Sequence, residues 1–307
     1  SSDKPNNQIG GYEVAAGKVD ANGKTPTKWI GGYREGGKLG DLVGYQQQHI
    51  FRDWDDVKAN ANERVDDIAH LYGPGLADKI NPATGKTYKE SNGWKPIEPG
   101  DVCWEDINGD NKINGLDREV VGNIFPKVTG GFSSTLSWKG ISLYARFDYA
   151  LGHTLYNDLA ARTLGQYQGA FNIITEVKDM WSEDNPNSDL PAFYYADQLA
   201  KKNITRSNNA SASRHNNSSR LYEKADYLAL RELTLSWDLP KAWTSKAFIQ
   251  NASVYVTGQN LFYVTGYTGT SPEPVLTNSD NNENLYGVDQ GRYPTPRTVL
   301  FGLSVTF

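Results

Sequence analysis

The sequence predicts an all-β fold of antiparallel strands about ten residues long, and three observations predict it. Apolar residues alternate with small or polar ones along several segments. The connections between those segments are alternately very short and very long. Aromatic side chains gather at the segment ends.

In chain order, residues 1–41 carry no sustained period and read as loop with a partial strand. A first strand candidate is 42–51, LVGYQQQHIF. Residues 127–138 set Val128, Phe132, Leu136 and Trp138 against Thr129, Ser133, Thr135 and Ser137. Residues 141–152 set Ile141, Leu143, Ala145, Phe147, Tyr149 and Leu151 against Ser142, Tyr144, Arg146 and Asp148. Only Lys139 and Gly140 lie between these two segments, which makes them a tight hairpin. Two further strands fall at 226–238 (Tyr227, Leu233, Leu235, Trp237) and 252–263 (Val254, Val256, Phe262). A last one, 297–307, carries Val299, Phe301, Leu303, Val305 and Phe307 on one face. Helical periodicity is confined to short stretches at 174–182 and 241–248.

The connections 53–125, 153–225 and 264–296 are long and rich in Asn, Asp, Ser, Gly and Pro, and 203–219 has the polarity of a loop tip. Short turns at one rim and long loops at the other are the layout of an up-and-down membrane barrel, and strands of about 9–12 residues suit a tilted crossing. A soluble β-sandwich alternates as well, so both architectures stand on pattern alone. Two details favour the membrane: the apolar face runs out to the terminal Phe307, and Trp138, Trp237 and Phe307 at one end answer Phe262 and Tyr263 at the other, as interfacial girdles do.

Composition removes other classes. Lys plus Arg number 31 against 36 Asp plus Glu, a net charge of −5, which is the wrong sign for a nucleic-acid partner. Aromatics at 12% exclude a disordered chain, and no apolar run approaches the roughly 20 residues of a spanning helix. The single cysteine, Cys103, excludes an internal disulfide framework and a thiolate metal cluster. Met180 is the only methionine and residues 1–20 lack an apolar core segment, so a processed start or a piece of a longer polypeptide is expected.

One motif carries chemistry. Asp106–Asp117, DINGDNKINGLD, matches a calcium loop with Asp106, Asn108, Asp110, the Lys112 carbonyl, Asn114 and Asp117 at the ligand positions and Ile113 at the apolar anchor. Asn111 stands where the turn glycine belongs, and Asp117 replaces the longer bidentate Glu. The plainer alternative is an Asx-rich loop closed by side-chain-to-backbone bonds. If calcium binds, its part is structural, and no cofactor is otherwise required. GYREGGKL at Gly32–Leu39 fails as a phosphate loop because Leu39 replaces the hydroxyl residue. His49, His70, His153 and His215 form no zinc motif, Cys103 has no sequence partner, and no nucleophile elbow occurs, so no catalytic residue is assigned. Arg146 and Asp148, on the polar side of their strand, and Trp181, Tyr267 and Tyr286, in the long loops, are candidates for substrate contact. Their plainer role is to wet a hydrated surface or to pack their own loops.

Several blocks resemble the C-terminal part of SusC/RagA-family TonB-dependent outer-membrane transporters of Bacteroidota. They are GDVCWEDINGDNKINGLDREVVGNIFPKVTGGFSSTLSWKGISL (Gly100–Leu143), RLYEKADYLALRELTLSWDLP (Arg220–Pro240), SVYVTGQNLFYVTGYTGTSPE (Ser253–Glu273) and GVDQGRYPTPRTVLFGLSVTF (Gly287–Phe307). The segment 42–51 looks like the family's preceding strand, and 53–98 like an insertion. The resemblance implies the last strands of a 22-stranded barrel that imports large nutrients, glycans above all and peptides also. It further implies a SusD-like surface lipoprotein as partner, energy through TonB acting on a plug outside this chain, and the remaining strands supplied from elsewhere. The long loops would be extracellular, and Phe307, the Lys139–Gly140 turn and 239–251 periplasmic. The rival expectation is a soluble β-rich, calcium-dependent glycan-binding module. What the apolar stripes touch distinguishes the two.

Overall fold

The computed structural model describes residues 9–15, 27–32, 37–166, 172–206, 217–275 and 286–307. They fall into two units, one drawn from Ser1–Ile124, Tyr156–Glu223 and Val275–Gln290, the other from Phe125–Leu155, Lys224–Pro274 and Gly291–Phe307.

Alternation builds the second unit. Five strands, β1 (Val128–Trp138), β2 (Ile141–Leu151), β3 (Tyr227–Asp238), β4 (Asn251–Thr265) and β5 (Thr298–Thr306), lie side by side in that order, each antiparallel to the next. The β1–β2 turn is Lys139–Gly140, with φ of 48° and 85°, and Trp138 faces Ile141 across it. Two successive left-handed residues make the turn whose twist matches that of its strands. Register then aligns like with like. Phe132 stands opposite Phe147 with ring centroids 4.9 Å apart, Leu143 opposite Leu235, and Val256 opposite Phe301. The apolar side of this sheet is exposed, Phe132 at 54%, Trp138 at 69% and Phe301 at 83%. Among the described residues, no second sheet seals it into the dry core that a sandwich requires. On the polar side Ala150, Tyr227 and Ala229 form a small buried cluster with Tyr263 against it.

One irregularity shapes β3. Its pairing with β2 shifts between Arg146 and Phe147, and its pairing with β4 shifts between Leu230 and Glu232. Against β2, Arg231 is the extra residue of a bulge, and the apolar phase of β3 jumps there; against β4 the extra residue lies on β4, where Asn260 takes a left-handed φ of 52°. Leu233, Leu235 and Trp237 therefore share a face with Leu228 and Leu230, while Tyr227 pairs with Ala150 on the polar side. This corrects the sequence reading, which put Tyr227 on the apolar face with Leu233.

The first unit is built from short strands and buried loops. Segment 42–51 is not one strand of the large sheet. Asp41–Tyr45 pairs with Arg118–Asn123, and Gln47–Ile50 with Val102–Trp104. Leu42, Val43 and Tyr45 are all buried, which is the mark of an apolar run enclosed on both faces rather than an alternating one. The 53–98 stretch contains a helix, Trp54–Ala61, that the sequence reading missed. Asp53 caps it by accepting the Asp56 N–H at 2.8 Å, and Val57 and Ala61 pack on Phe51, Leu71, Ile97 and Cys103. Residues 1–41, read as loop with a partial strand, include two paired strands, Ile9–Ala15 and Thr27–Gly32. The helical stretches at 174–182 and 241–248 are single turns, a 3-10 turn at Thr175–Asp179 and a helical turn at Lys241–Thr244. Within the loop tip at 203–219, residues 207–216 lie outside the described residues.

A buried cation holds this unit together. Arg206 donates to both oxygens of Asp66 at 2.8 and 2.7 Å, and its guanidinium lies over the rings of Tyr45 and Trp104 at 5.0 and 4.5 Å. A desolvated arginine is tolerable only with such bidentate pairing and aromatic faces around it.

The hairpin turn offers a direct check. Gly140→Val puts a β-branched residue in the left-handed region and should cost about 1–2 kcal/mol in a denaturant titration of the folded receptor, with Gly140→Asn costing less. Equal stability for the two variants and the parent would contradict the turn geometry.

Candidate functional site

The densest polar arrangement of the second unit lies on the polar side of the sheet, where the bulge turns Arg231 toward β2 and β4. Arg231 holds Asp148 through two nitrogens, Nε and Nη2, the latter at 3.0 Å. The same Nη2 donates to Glu273 Oε1 at 2.5 Å, and Nη1 donates to the Tyr263 hydroxyl at 2.9 Å. Tyr263 in turn donates to Glu273 Oε1 at 2.8 Å, and Tyr227 to Asp148 Oδ2 at 3.3 Å. The Arg231 guanidinium also lies 5.3 Å from the centre of the Tyr263 ring. One cation thus organises two carboxylates and two phenols from three strands and a loop. This is a binding and positioning arrangement. Among the described residues, no nucleophile sits within it beside a base.

The residues singled out in the sequence divide accordingly. Asp148 belongs to this cluster, and its carboxylate is engaged by Arg231 and Tyr227. Arg146 is on the same face of β2 and exposed. Tyr267 is buried in the loop that follows β4, its ring so close over Gly269 that a Cβ there would collide with it. Trp181 and Tyr286 belong to the first unit. The Trp181 ring packs against the Tyr45, Ile50, Val102, Trp104 and Ile113 cluster, and its Nε1 donates to the Arg52 carbonyl at 3.2 Å. Tyr286 is half-buried at a turn. Arg231, Glu273, Tyr227 and Tyr263 were not picked out as site residues. The signal was present: Leu228 and Leu230 sit at even positions, and Leu233, Leu235 and Trp237 at odd ones, so the alternation breaks at Arg231–Glu232.

The Asp106–Asp117 loop closes on hydrogen bonds. Asp106 accepts the N–H groups of Gly109 at 2.8 Å and Asn111 at 2.8 Å, Asn108 that of Asp110 at 3.2 Å, and Asp110 that of Lys112 at 2.8 Å. Asn114 accepts from Leu116 at 2.8 Å, and Asp117 from Ile107 at 3.1 Å and Asn114 at 2.8 Å. Asn111 takes the left-handed conformation, φ 60°, at the position of the turn glycine. Ile113 is buried in the first unit's core, as an anchor should be. Among the described residues, no three His, Cys, Asp or Glu side chains are grouped to hold a metal ion. Asp117 is fully buried. Burial pushes its carboxyl up to about 6 against the pull of the two N–H groups it accepts from, and Asp106 and Asp110 add to the rise.

Comparison with known proteins adds kinship. The chain is 30% identical over 213 residues to TonB-dependent receptor P3 of Formosa agariphila, covering 68% of this chain and 19% of that protein. It is 26% identical over 290 residues to TonB-dependent receptor P39 of the same organism, covering 90% of this chain and 26% of the relative. Among solved structures, the RagAB peptide transporter matches with a TM-score of 0.51 and 26% identity over 68% of this chain and 21% of that one. The chain therefore spans about a fifth to a quarter of the length of these relatives. No protein-family model matches it.

The carboxyl of Asp117 gives a pH signature. The folded chain holds this proton more tightly than the unfolded one, whose carboxyl has the ordinary value of 3.8. Its contribution to stability is therefore complete below that value and is lost as pH rises through about 6. A carbon-detected NMR titration should find the Asp117 midpoint near 6. A midpoint at the ordinary aspartate value would refute the burial argument.

Proposed function

This chain is a relative of the SusC/RagA-type TonB-dependent receptors, and from that kinship we propose that it forms part of the wall of an outer-membrane barrel that imports large nutrients. The observation that carries the reading is the exposed apolar side of β1–β5, with Phe132 and Phe301 open and a polar side opposite. Acyl chains suit the first side and water the second. β1 and β5 each pair on one side only among the described residues, so the reading requires strands from beyond this chain to complete a barrel, 22 in all by the family pattern.

On this reading the Lys139–Gly140 turn lies at the periplasmic rim. The long connections 53–125, 153–225 and 264–296 lie outside the cell, where a SusD-like lipoprotein and the incoming cargo are met. The cargo is a glycan or a peptide; the RagAB relative is named for peptides. TonB acts on a plug contributed by the rest of the receptor. No catalytic step is assigned to this chain. The Asp106–Asp117 loop already closes on its own hydrogen bonds, so a calcium ion there would stiffen a loop outside the membrane rather than shape it. A soluble glycan-binding module is the weaker reading, because it would have to leave this apolar sheet face in water.

Arginine scanning of the two faces tests the proposal in the intact receptor. Phe132→Arg and Phe301→Arg place a charge in the acyl region and should each cost about 2–4 kcal/mol, seen as loss of the folded receptor from the outer-membrane fraction. Ser133→Arg, on the water-facing side, should assemble normally. Normal assembly of both phenylalanine variants would overturn the membrane reading.

A further inference from the structure

The loop that leaves β4 is tied down at one short stretch. Gly266–Pro274 contains no strand or helix, yet Tyr267, Ser271 and Pro272 are buried. Its fastenings gather at Pro272 and Glu273. His153 Nε2 donates to the Pro272 carbonyl at 2.8 Å, Arg231 and Tyr263 both bond the Glu273 carboxylate, and Arg292 Nη2 donates to the Glu273 carbonyl at 3.0 Å. The donors come from the end of β2, from β3, from β4 and from the chain leading into β5, so the stretch crosses the polar side of the sheet. At the other end the loop is held near β4, where Thr265 Oγ1 donates to the Asp226 carbonyl at 2.8 Å.

These contacts are unequal. Three of the four fastenings at Pro272–Glu273 are single bonds from a neutral group or to a neutral carbonyl. The Arg231–Glu273 pair alone joins two full charges, whereas the Tyr263 and Arg292 bonds each carry one charged partner. The Arg231 and Glu273 side chains are 18% and 29% exposed, so the pair sits at the water's edge and is not sealed in the interior. Arg231 is also anchored independently by Asp148, so loss of Glu273 leaves the guanidinium paired and the sheet intact.

We propose that Gly266–Pro274 is a strap fastened across the water-facing side of the sheet, that Arg231 is its clasp on Glu273, and that unfastening it uncovers Tyr267. Fastened, the strap folds the Tyr267 ring down over Gly269 and keeps it from solvent. Unfastened, it presents an aromatic ring to whatever occupies the polar side. The fastening holds whether or not the chain lines an import barrel; only the identity of what meets Tyr267 rests on that reading.

Hydrogen exchange and tyrosine nitration on the intact receptor test this. Glu273→Gln should raise amide exchange across 266–274 about tenfold, as expected for the loss of one charge-assisted bond, with a parallel rise in nitration of Tyr267. Exchange in β2 and β3 should stay at the parent level. Glu273→Asp, which keeps the charge, should lie between the two, and Tyr263→Phe should give a smaller rise in the same direction. Parent-level exchange and nitration in Glu273→Gln would overturn the clasp. So would loosening of β2 and β3 to the same degree as the strap, since Glu273 would then be supporting the whole sheet. A released strap in a receptor that imports nothing leaves the clasp standing and removes the import reading alone.

Discussion

Everything in the second unit depends on pairing peptide groups while keeping two unlike surfaces apart. In hydrocarbon no water is present to satisfy an N–H or a C=O, so a strand that touches acyl chains must find both partners in other strands. Antiparallel pairing with strict alternation meets that demand and assigns each side chain a solvent at the same time. The five strands obey it for most of their length, and the exposed stripe from Phe132 through Phe147 to Phe301 follows from it without further specification.

Where that rule was strict, the sequence was readable. The hairpin of β1 and β2, its two-residue turn and both faces of each strand follow from period-two alternation and one Lys-Gly pair. The first unit was harder. Its core is assembled from residues far apart in the chain, such as Arg206 with Asp66, Tyr45 and Trp104, and no local period announces such a meeting. The helix at Trp54–Ala61 buries only Val57 and Ala61, too few apolar positions to register as a stripe, although Asp53 followed by Asp55 and Asp56 was a capping signal.

The candidate site was legible in part for a related reason. Asp148 was visible as a charge on a water-facing position, but its partners arrive from another strand and from a loop, and spacing carries no record of them. The Asp106–Asp117 loop shows the opposite case. The residue types that suit a calcium ion, carboxylates and amides at alternate positions, are those that cap their own backbone, so composition cannot separate the two uses.

The extra residue at Arg231 has a consequence for how this strand tolerates change in length. Counting back from Trp237 in twos through Leu235 and Leu233, an unbroken strand would aim Arg231 onto the apolar side of the sheet, a placement that on the proposed barrel reading costs several kcal/mol. The local slip inverts the parity, so arginine and insertion are useful only together. Straightening the bulge with every residue kept would swing Tyr227 onto the apolar side and Leu228 and Leu230 onto the polar one, whereas deleting Arg231 would restore unbroken pairing with β2 and leave the remaining side chains on their present faces. A shortened strand would thus keep its two faces and lose only the guanidinium that reaches Asp148 and Glu273.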